Sequence, residues 1–447
     1  MVLFKSKNIF IWTSLLVAFG VALFQTLNNA IGLVAVLVLF GVLLVYAAFK
    51  DMAMPVLLFF LPWSTLLKLR PGTISMYTIA LLAVLLILLF RNIKKFPVLH
   101  IFPAALLFVL TLAVKTVTED PIDNGYVLFF FCLLLFPLIA SEKEKEYDFY
   151  TLILFLSLGI ITAALSAKQL AVFPTISRYI TIHSYDSIIR LSGYYGDPNF
   201  YSAHITAAIA GIFVLVLNEA KLSRRLVLFV LMVLLVYCGF LSVSKSFILL
   251  FICMALFWII EILFRNGKMS SKLVMIMMLL IAGAFVLSSI MFTDLVDMII
   301  GRFLKDKTIS DFTTGRTELW GSYFSAFEDT PSILFFGKGL SDVLVNNNAS
   351  HNIVIQSIYQ FGIPGSVLLL IWFFAYARNV IKHIRIKITH IVQIFMLALG
   401  AFGPCLAIDS LKFDEFFLMP FIVFIGIIYT VNSTVDPDNI GDDNETV

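Results

Sequence analysis

The sequence predicts an all-α polytopic membrane protein of about 14 (12–14) transmembrane helices, with a large extracytoplasmic loop carrying short amphipathic helices. Three observations predict it. Of 447 residues, 61% are hydrophobic and only 13% charged, where a soluble domain is roughly half apolar and a quarter charged. Mean hydropathy is +1.00. Apolar runs of spanning length recur along the chain, and only one long polar stretch, from about Met291 to Asn352, interrupts them.

The first runs are Asn8–Leu27, Ile31–Phe49, Ala53–Leu69 and Ser75–Phe90, followed by Pro97–Val117, Gly125–Ala140, Tyr150–Lys168 and Asn199–Asn218. The remaining six are Leu226–Leu241, Phe247–Phe264, Leu273–Phe292, Asn352–Ala377, Ile391–Ile408 and Phe416–Val431. Pro55 and Pro62 disturb the third run, because proline removes a helical donor and crowds the preceding turn. The resulting organisation is one transmembrane domain over 1–431 with outer loops at about 169–198 and 293–351. An acidic cytoplasmic tail, 432–447, carries Asp436, Asp438, Asp442, Asp443 and Glu445 and reads as disordered.

Orientation follows from the cations near span ends. Arg91/Lys94/Lys95, Lys221/Arg224/Arg225, Arg265/Lys268/Lys272 and Arg378/Lys382/Arg385/Lys387 fall in alternate gaps, which places those gaps and both termini in the cytoplasm. Lys68 and Arg70 fall on the opposite side and conflict with the bias. Lys5 and Lys7 precede an apolar run with no small-residue cleavage site, which fits an uncleaved first span. Cys132, Cys238, Cys253 and Cys405 all lie inside apolar runs without metal-type spacing, so they read as small core or lipid-facing residues. A net charge of +3 gives no reason to expect nucleic acid.

Two polar patches then face outward. The first is Arg190-Leu-Ser-Gly-Tyr-Tyr-Gly-Asp-Pro-Asn199. Asp197 reads as an N-cap and Pro198 as the first helical residue, so a helix N-terminus, with its free donors and positive dipole end, offers an anion site. Gly193 and Gly196 allow a tight backbone just before it, and Arg190 adds a fork suited to phosphate oxygens. The second patch ends on Ser350-His351-Asn352, with Ser350 as N-cap and the next two residues in the first turn. Upstream, Arg316 opens an amphipathic segment whose Leu319, Trp320, Tyr323, Phe324 and Phe327 share a face, the pattern of a helix lying in the membrane interface. Two arginines, two helix N-termini and a histidine suit transfer from a pyrophosphate-linked donor. The arginines would stabilise the leaving diphosphate, and His351 would take the proton of an attacking hydroxyl.

Other residues carry two readings each. Lys245 is either a snorkelling cation or a third phosphate contact, and His204 either a hydrogen-bonded core residue or part of the site. Asp409 either caps or pairs with Lys412, or belongs to the site. His383 and His390 belong to a cytoplasmic basic gap.

The motifs in order resemble the O-antigen ligase/O-antigen polymerase superfamily. They are Arg190-x-x-Gly193 with Asp197-Pro-Asn199, Ser244-Lys-Ser246, Gly315-Arg316-x-x-x-Trp320, and His351-Asn352 with Gly362-Ile-Pro-Gly365. The resemblance covers about Arg190 to Gly365. It implies a metal-independent membrane glycosyltransferase of GT-C type without cofactor, with His351, Arg316 and Arg190 as catalytic residues. Lys245, Asp197, Asn199, Asn352, His204 and Asp409 would contact substrate. The family often has arginine where Lys245 stands, and lysine loses the bidentate grip. The implied activity is a polysaccharide polymerase, moving an undecaprenyl-pyrophosphate-linked glycan onto a lipid-linked repeat unit outside a bacterial cytoplasmic membrane. Its partners would be that donor, a glycan acceptor, membrane lipid, a flippase and a chain-length regulator. A ligase passing finished glycan to a lipid or protein acceptor is the alternative within the family. A lipid-linked oligosaccharide flippase is the alternative outside it, but the charged mid-span residues and repeat symmetry that it requires are sparse here.

Overall fold

A computed structural model describes residues 2–70, 73–92, 101–118, 124–137, 148–177, 183–185, 188–195, 197–219, 221–264, parts of 272–284, 315–339, 345–346, 348–381, 386–408, 411 and 413–433. In chain order the helices are α1 (Val2–Thr26), α2 (Ala30–Phe49), α3 (Ala53–Phe60), α4 (Met76–Asn92), α5 (Ile101–Thr118), α6 (Asn124–Leu135), α7 (Phe149–Leu170) and α8 (Pro174–Ser177). After a short hairpin come α9 (Pro198–Asn218), α10 (Leu222–Leu241), α11 (Lys245–Phe264), α12 (Arg316–Asp329), α13 (Ser332–Phe336), α14 (Ile353–Ile381), α15 (Ile388–Phe402) and α16 (Phe413–Ser433). Among the described residues, eight helices are long and apolar enough to cross a membrane, and the shorter apolar helices are Ala53–Trp63, Met76–Arg91, Ile101–Val117 and Leu418–Ser433. The chain is a helical membrane protein. The acidic tail from 434 lies outside the described residues.

The bundle is built around α9. Every residue from Phe200 to Leu217 is buried, which small side chains make compatible with close helix approach. Gly400 of α15 sits where any Cβ would strike Ala210 and the Thr206 carbonyl, and Thr206 Oγ1 donates to Gly400 O at 2.9 Å. On the α11 side, Trp258 stacks on Phe213 with ring centroids 5.2 Å apart and donates to the Phe213 carbonyl at 3.1 Å. Helices α7, α10 and α16 also pack on α9.

Two ends of this bundle are distinguished by their chemistry. At one, Lys7 pairs with Asp148 at 2.5 Å, Arg91 with Asp51 at 3.0 Å and Arg224 with Glu219 at 3.2 Å. At the other, Gln25 Nε2 donates to the carbonyls of Leu66 and Lys68, Thr175 Oγ1 reaches Thr26 O, and Trp63 packs on Tyr194 at 5.4 Å. Lys68 is therefore at the end where α9 begins, and its conflict with the cation bias is a property of the fold.

Several local expectations change. The run Ala53–Leu69 is α-helical only to Phe60 and continues as a 3-10 turn, Leu61–Trp63, with Pro62 in its first positions. Residues His183–Tyr185 and Ile188–Arg190 form an antiparallel hairpin that the all-α expectation did not include. Asn352, not Ser350, caps α14: its Oδ1 accepts from Val354 N at 2.9 Å and Ile355 N at 3.3 Å. His351 thus precedes the helix.

Helix α12 turns part of its apolar face on protein. Tyr323 and Phe327 are buried against Ile333, Ile355 and Tyr359, with Leu319 and Trp320 at the margin, whereas Phe324 is exposed. The short α13 is locked to a kink in α14. Gly362 has φ 69°, and Pro364 cannot donate to the carbonyl four residues back. The freed carbonyls of Tyr359 and Gln360 accept instead from Lys338 N at 2.8 Å and Gly339 N at 2.7 Å.

Candidate functional site

Arg190 ends the second strand of the hairpin, and the next residue ties the loop to α10 through Leu191 N to Leu241 O at 3.0 Å. Its guanidinium is anchored rather than solvated. Nε donates to Ser242 O at 2.9 Å and Nη2 to Asn199 Oδ1 at 3.4 Å. Ser244 Oγ reaches the same Asn199 oxygen at 3.0 Å, with Ser246 Oγ at 2.9 Å and Ser202 Oγ at 3.3 Å around it. Lys245, half-buried, opens α11 between Ser244 and Ser246.

The turn that brings these groups together is strained. Val243 has φ 48°, a conformation that a β-branched residue adopts only when its surroundings force it. Here both flanking residues are engaged: Ser242 O by Arg190, and Ser244 Oγ by Asn199. Gly193 has φ 56°, and a Cβ there would lie 3.3 Å from the Tyr201 ring, so a tight backbone at that point is required.

Asp197 caps α9 by accepting from Asn199 N at 2.6 Å. Together with the Asn352 cap, this removes part of the free donor set expected at both helix N-termini. Positive charge in this region therefore resides mainly in side chains. His204 is fully buried, its Nδ1 lies 2.8 Å from Phe200 O, and its ring stacks on Tyr195 at 4.5 Å. It buttresses the loop from behind. Tyr194 bonds Ser166 at 2.9 Å, and burial pushes its hydroxyl up to about 12, so it stays neutral.

The second cluster is assembled by α12. Gly315, with φ 75°, lets Arg316 begin the helix, and one turn later Trp320 Nε1 donates to Ser350 O at 3.0 Å. Tyr323 OH donates to Asn348 O at 2.8 Å. These two bonds hold the segment before α14 against α12, so the helix carrying Arg316 is fixed to the backbone next to His351. His351 itself has φ 50°, a left-handed conformation uncommon outside glycine.

A bridge joins the clusters. Asn352 Nδ2 contacts Leu406 O at 3.5 Å, and Leu411 N donates to Gln356 Oε1 at 3.2 Å. From the other side, Ile408 packs on Phe200, Ala203 and Tyr195. The segment after α15 thus touches the start of α14 and the start of α9 together. Asp409 lies outside the described residues, between Ile408 and Leu411 of this bridge.

The structure thus groups Arg190, Asn199 and Lys245, with Asp197 on the adjoining turn, and separately Arg316, His351 and Asn352, and joins the two groups at one end of the bundle. Sequence reasoning missed Ser202 and Ser242 and the strained Val243. Ser202, three residues after Asn199 on a helix, is the one with a readable signal. No protein-family model matches this chain, and no curated protein matches it.

Proposed function

We propose that the protein is a polysaccharide polymerase that elongates a glycan carried on undecaprenyl pyrophosphate, at the outer face of a bacterial cytoplasmic membrane. In this reading the chain has about 14 spans in a GT-C-like arrangement with both termini in the cytoplasm. The observation that carries it is the bridge from Asn352 to Leu406 and from Ile408 to Phe200, which joins the two polar patches at one end of the bundle. Three of the motifs that resemble the O-antigen ligase/polymerase superfamily, Arg190–Asn199, Gly315–Trp320 and His351-Asn352, belong to these same patches.

The step is a displacement at the anomeric carbon of the donor. His351 accepts the proton of the acceptor hydroxyl as its oxygen bonds to that carbon. The bond from the carbon to the diphosphate oxygen breaks, and the diphosphate leaves with the electron pair. Arg316 and Arg190, with Lys245, stabilise the charge that develops there. The anchoring of Arg190 on Ser242 and Asn199 supports this, because a guanidinium fixed before substrate arrives needs little reorganisation.

The test is purified protein given lipid-pyrophosphate repeat units. Longer lipid-linked chains, absent with His351→Ala and Arg316→Ala at equal protein level, support the reading. A conjugate to a new acceptor would point to a ligase, and transport across vesicles without elongation to a flippase.

A further inference from the structure

Asn199 has a side-chain amide whose orientation the chemistry decides. Arg190 Nη2 can only donate, so the amide atom facing it at 3.4 Å is oxygen. Ser244 Oγ, 3.0 Å from the same oxygen, accepts from its serine neighbours and donates here. The amide nitrogen therefore faces away from this clamp. Asn199 is half-buried, and among the described residues none bonds its Nδ2. On the same turn, Asp197 accepts at Oδ1 from Asn199 N at 2.6 Å, and among the described residues none bonds its second oxygen.

An amide donor and a carboxylate acceptor two residues apart do not suit phosphate, which only accepts and which the carboxylate repels. They suit hydroxyl groups, each of which donates and accepts. Arg190, placed beside them, joins this neutral-ligand surface to the cationic one.

We propose that Asn199 and Asp197 form the subsite for the hydroxyl edge of the donor's first sugar, the residue bonded directly to the diphosphate. This rests on the donor reading above and assigns a part of it: Arg190 lies at the junction of sugar and diphosphate, and Ser244 is a positioning residue that aims the Asn199 amide.

The experiment uses the full chain in lipid nanodiscs and two probes, undecaprenyl pyrophosphate and the same lipid carrying one N-acetylglucosamine. Wild type binds the sugar-bearing probe more tightly. Asn199→Ala weakens that probe about tenfold more than the bare lipid, the scale of a lost pair of hydrogen bonds, and the loss common to both probes reports the loosened Arg190. Asn199→Leu, which keeps much of the volume and neither donates nor accepts, also removes the advantage of the sugar, with unchanged elution and thermal midpoint as the folding control. Ser244→Ala reduces the advantage and Ser244→Thr restores it. Equal loss for both probes, or no sugar advantage in wild type, overturns the subsite while leaving the diphosphate reading standing. If wild type binds neither probe, the donor reading falls and the subsite with it.

Discussion

Trp320 donates its indole N–H to the backbone carbonyl of Ser350 at 3.0 Å. This bond spans thirty residues of sequence. It fixes the amphipathic helix that starts at Arg316 against the left-handed residue His351. Tyr323, less than one turn further on, repeats the device by donating to Asn348 O at 2.8 Å. A cation and an imidazole that sequence places far apart are thereby carried on one packed unit.

Trp320→Phe keeps most of the apolar contact and removes the donor. A single bond of this kind contributes about 1 kcal/mol, so thermal stability should fall only slightly. Glycan extension should fall about tenfold, because loosening a fixed site by fractions of an ångström costs far more in rate than in fold. A chain-length ladder from a membrane assay, set beside a melting curve, checks both halves.

Gly362→Ala tests the lock between α13 and α14. The position needs φ 69°, and a Cβ would strike the Phe335 backbone. With ψ 177° the position lies in a region essentially reserved for glycine, which alone costs an alanine about 1–3 kcal/mol, and the clash adds to it. We expect a marked loss of folded protein in detergent. Gly41→Ala, where nothing lies within 4 Å of the added Cβ, is the matched control and should leave the yield unchanged.

Val243→Gly tests the turn at φ 48°. Relieving the left-handed β-branched residue gains about 1 kcal/mol, but Val243 is buried in the core, so losing its side chain costs about 2 kcal/mol or more, and the greater freedom of the unfolded chain adds to that. A lower melting midpoint is expected, together with lower extension activity, because the turn that presents Ser242 O to Arg190 is no longer held. A higher midpoint would show that the strain at Val243 outweighs its packing.

Much of this fold is legible in the sequence because spanning helices must be apolar over a fixed length. The run Asn199–Asn218 becomes α9 almost residue for residue. Boundaries were less legible, since Ser350 and Asn352 are equally good caps and only the backbone turn at His351 selects between them. The hairpin at Arg190 is too short to give a periodic signal. The candidate residues named by type, Arg190, Arg316 and His351, stand out in the sequence because cations and an imidazole are costly near lipid. Several of the acceptors that organise these clusters, Ser242 O for Arg190, Ser350 O for Trp320 and Leu406 O for Asn352, are backbone atoms, and no side-chain pattern announces a backbone partner.

At the opposite end, Asp148 sets an acid limit on stability. Burial pushes its carboxyl up, but hydrogen bonds from Lys7 and Thr151, with the charges of Lys7 and Arg224, outweigh this and hold it below the ordinary value of 3.8. A carboxylate with a lowered folded pKa stabilises fully above its unfolded pKa and loses that contribution as pH falls through the folded one. The pair is part-exposed, so the effect is modest. Melting midpoints should therefore drop below about pH 4, the ordinary carboxylate range. Asp148→Asn should lower the midpoint at neutral pH and flatten that part of the acid limb.

The central claim is that the loop before α9 and the segment before α14 surround one lipid diphosphate. Photolabelling with a diazirine-bearing polyprenyl pyrophosphate, followed by peptide mass spectrometry, tests it most directly. One probe should label both the 190–202 and the 348–356 segments, and excess unlabelled lipid pyrophosphate should suppress both together. Labelling of only one segment, or labelling concentrated at the Lys7–Asp148 end, would contradict it.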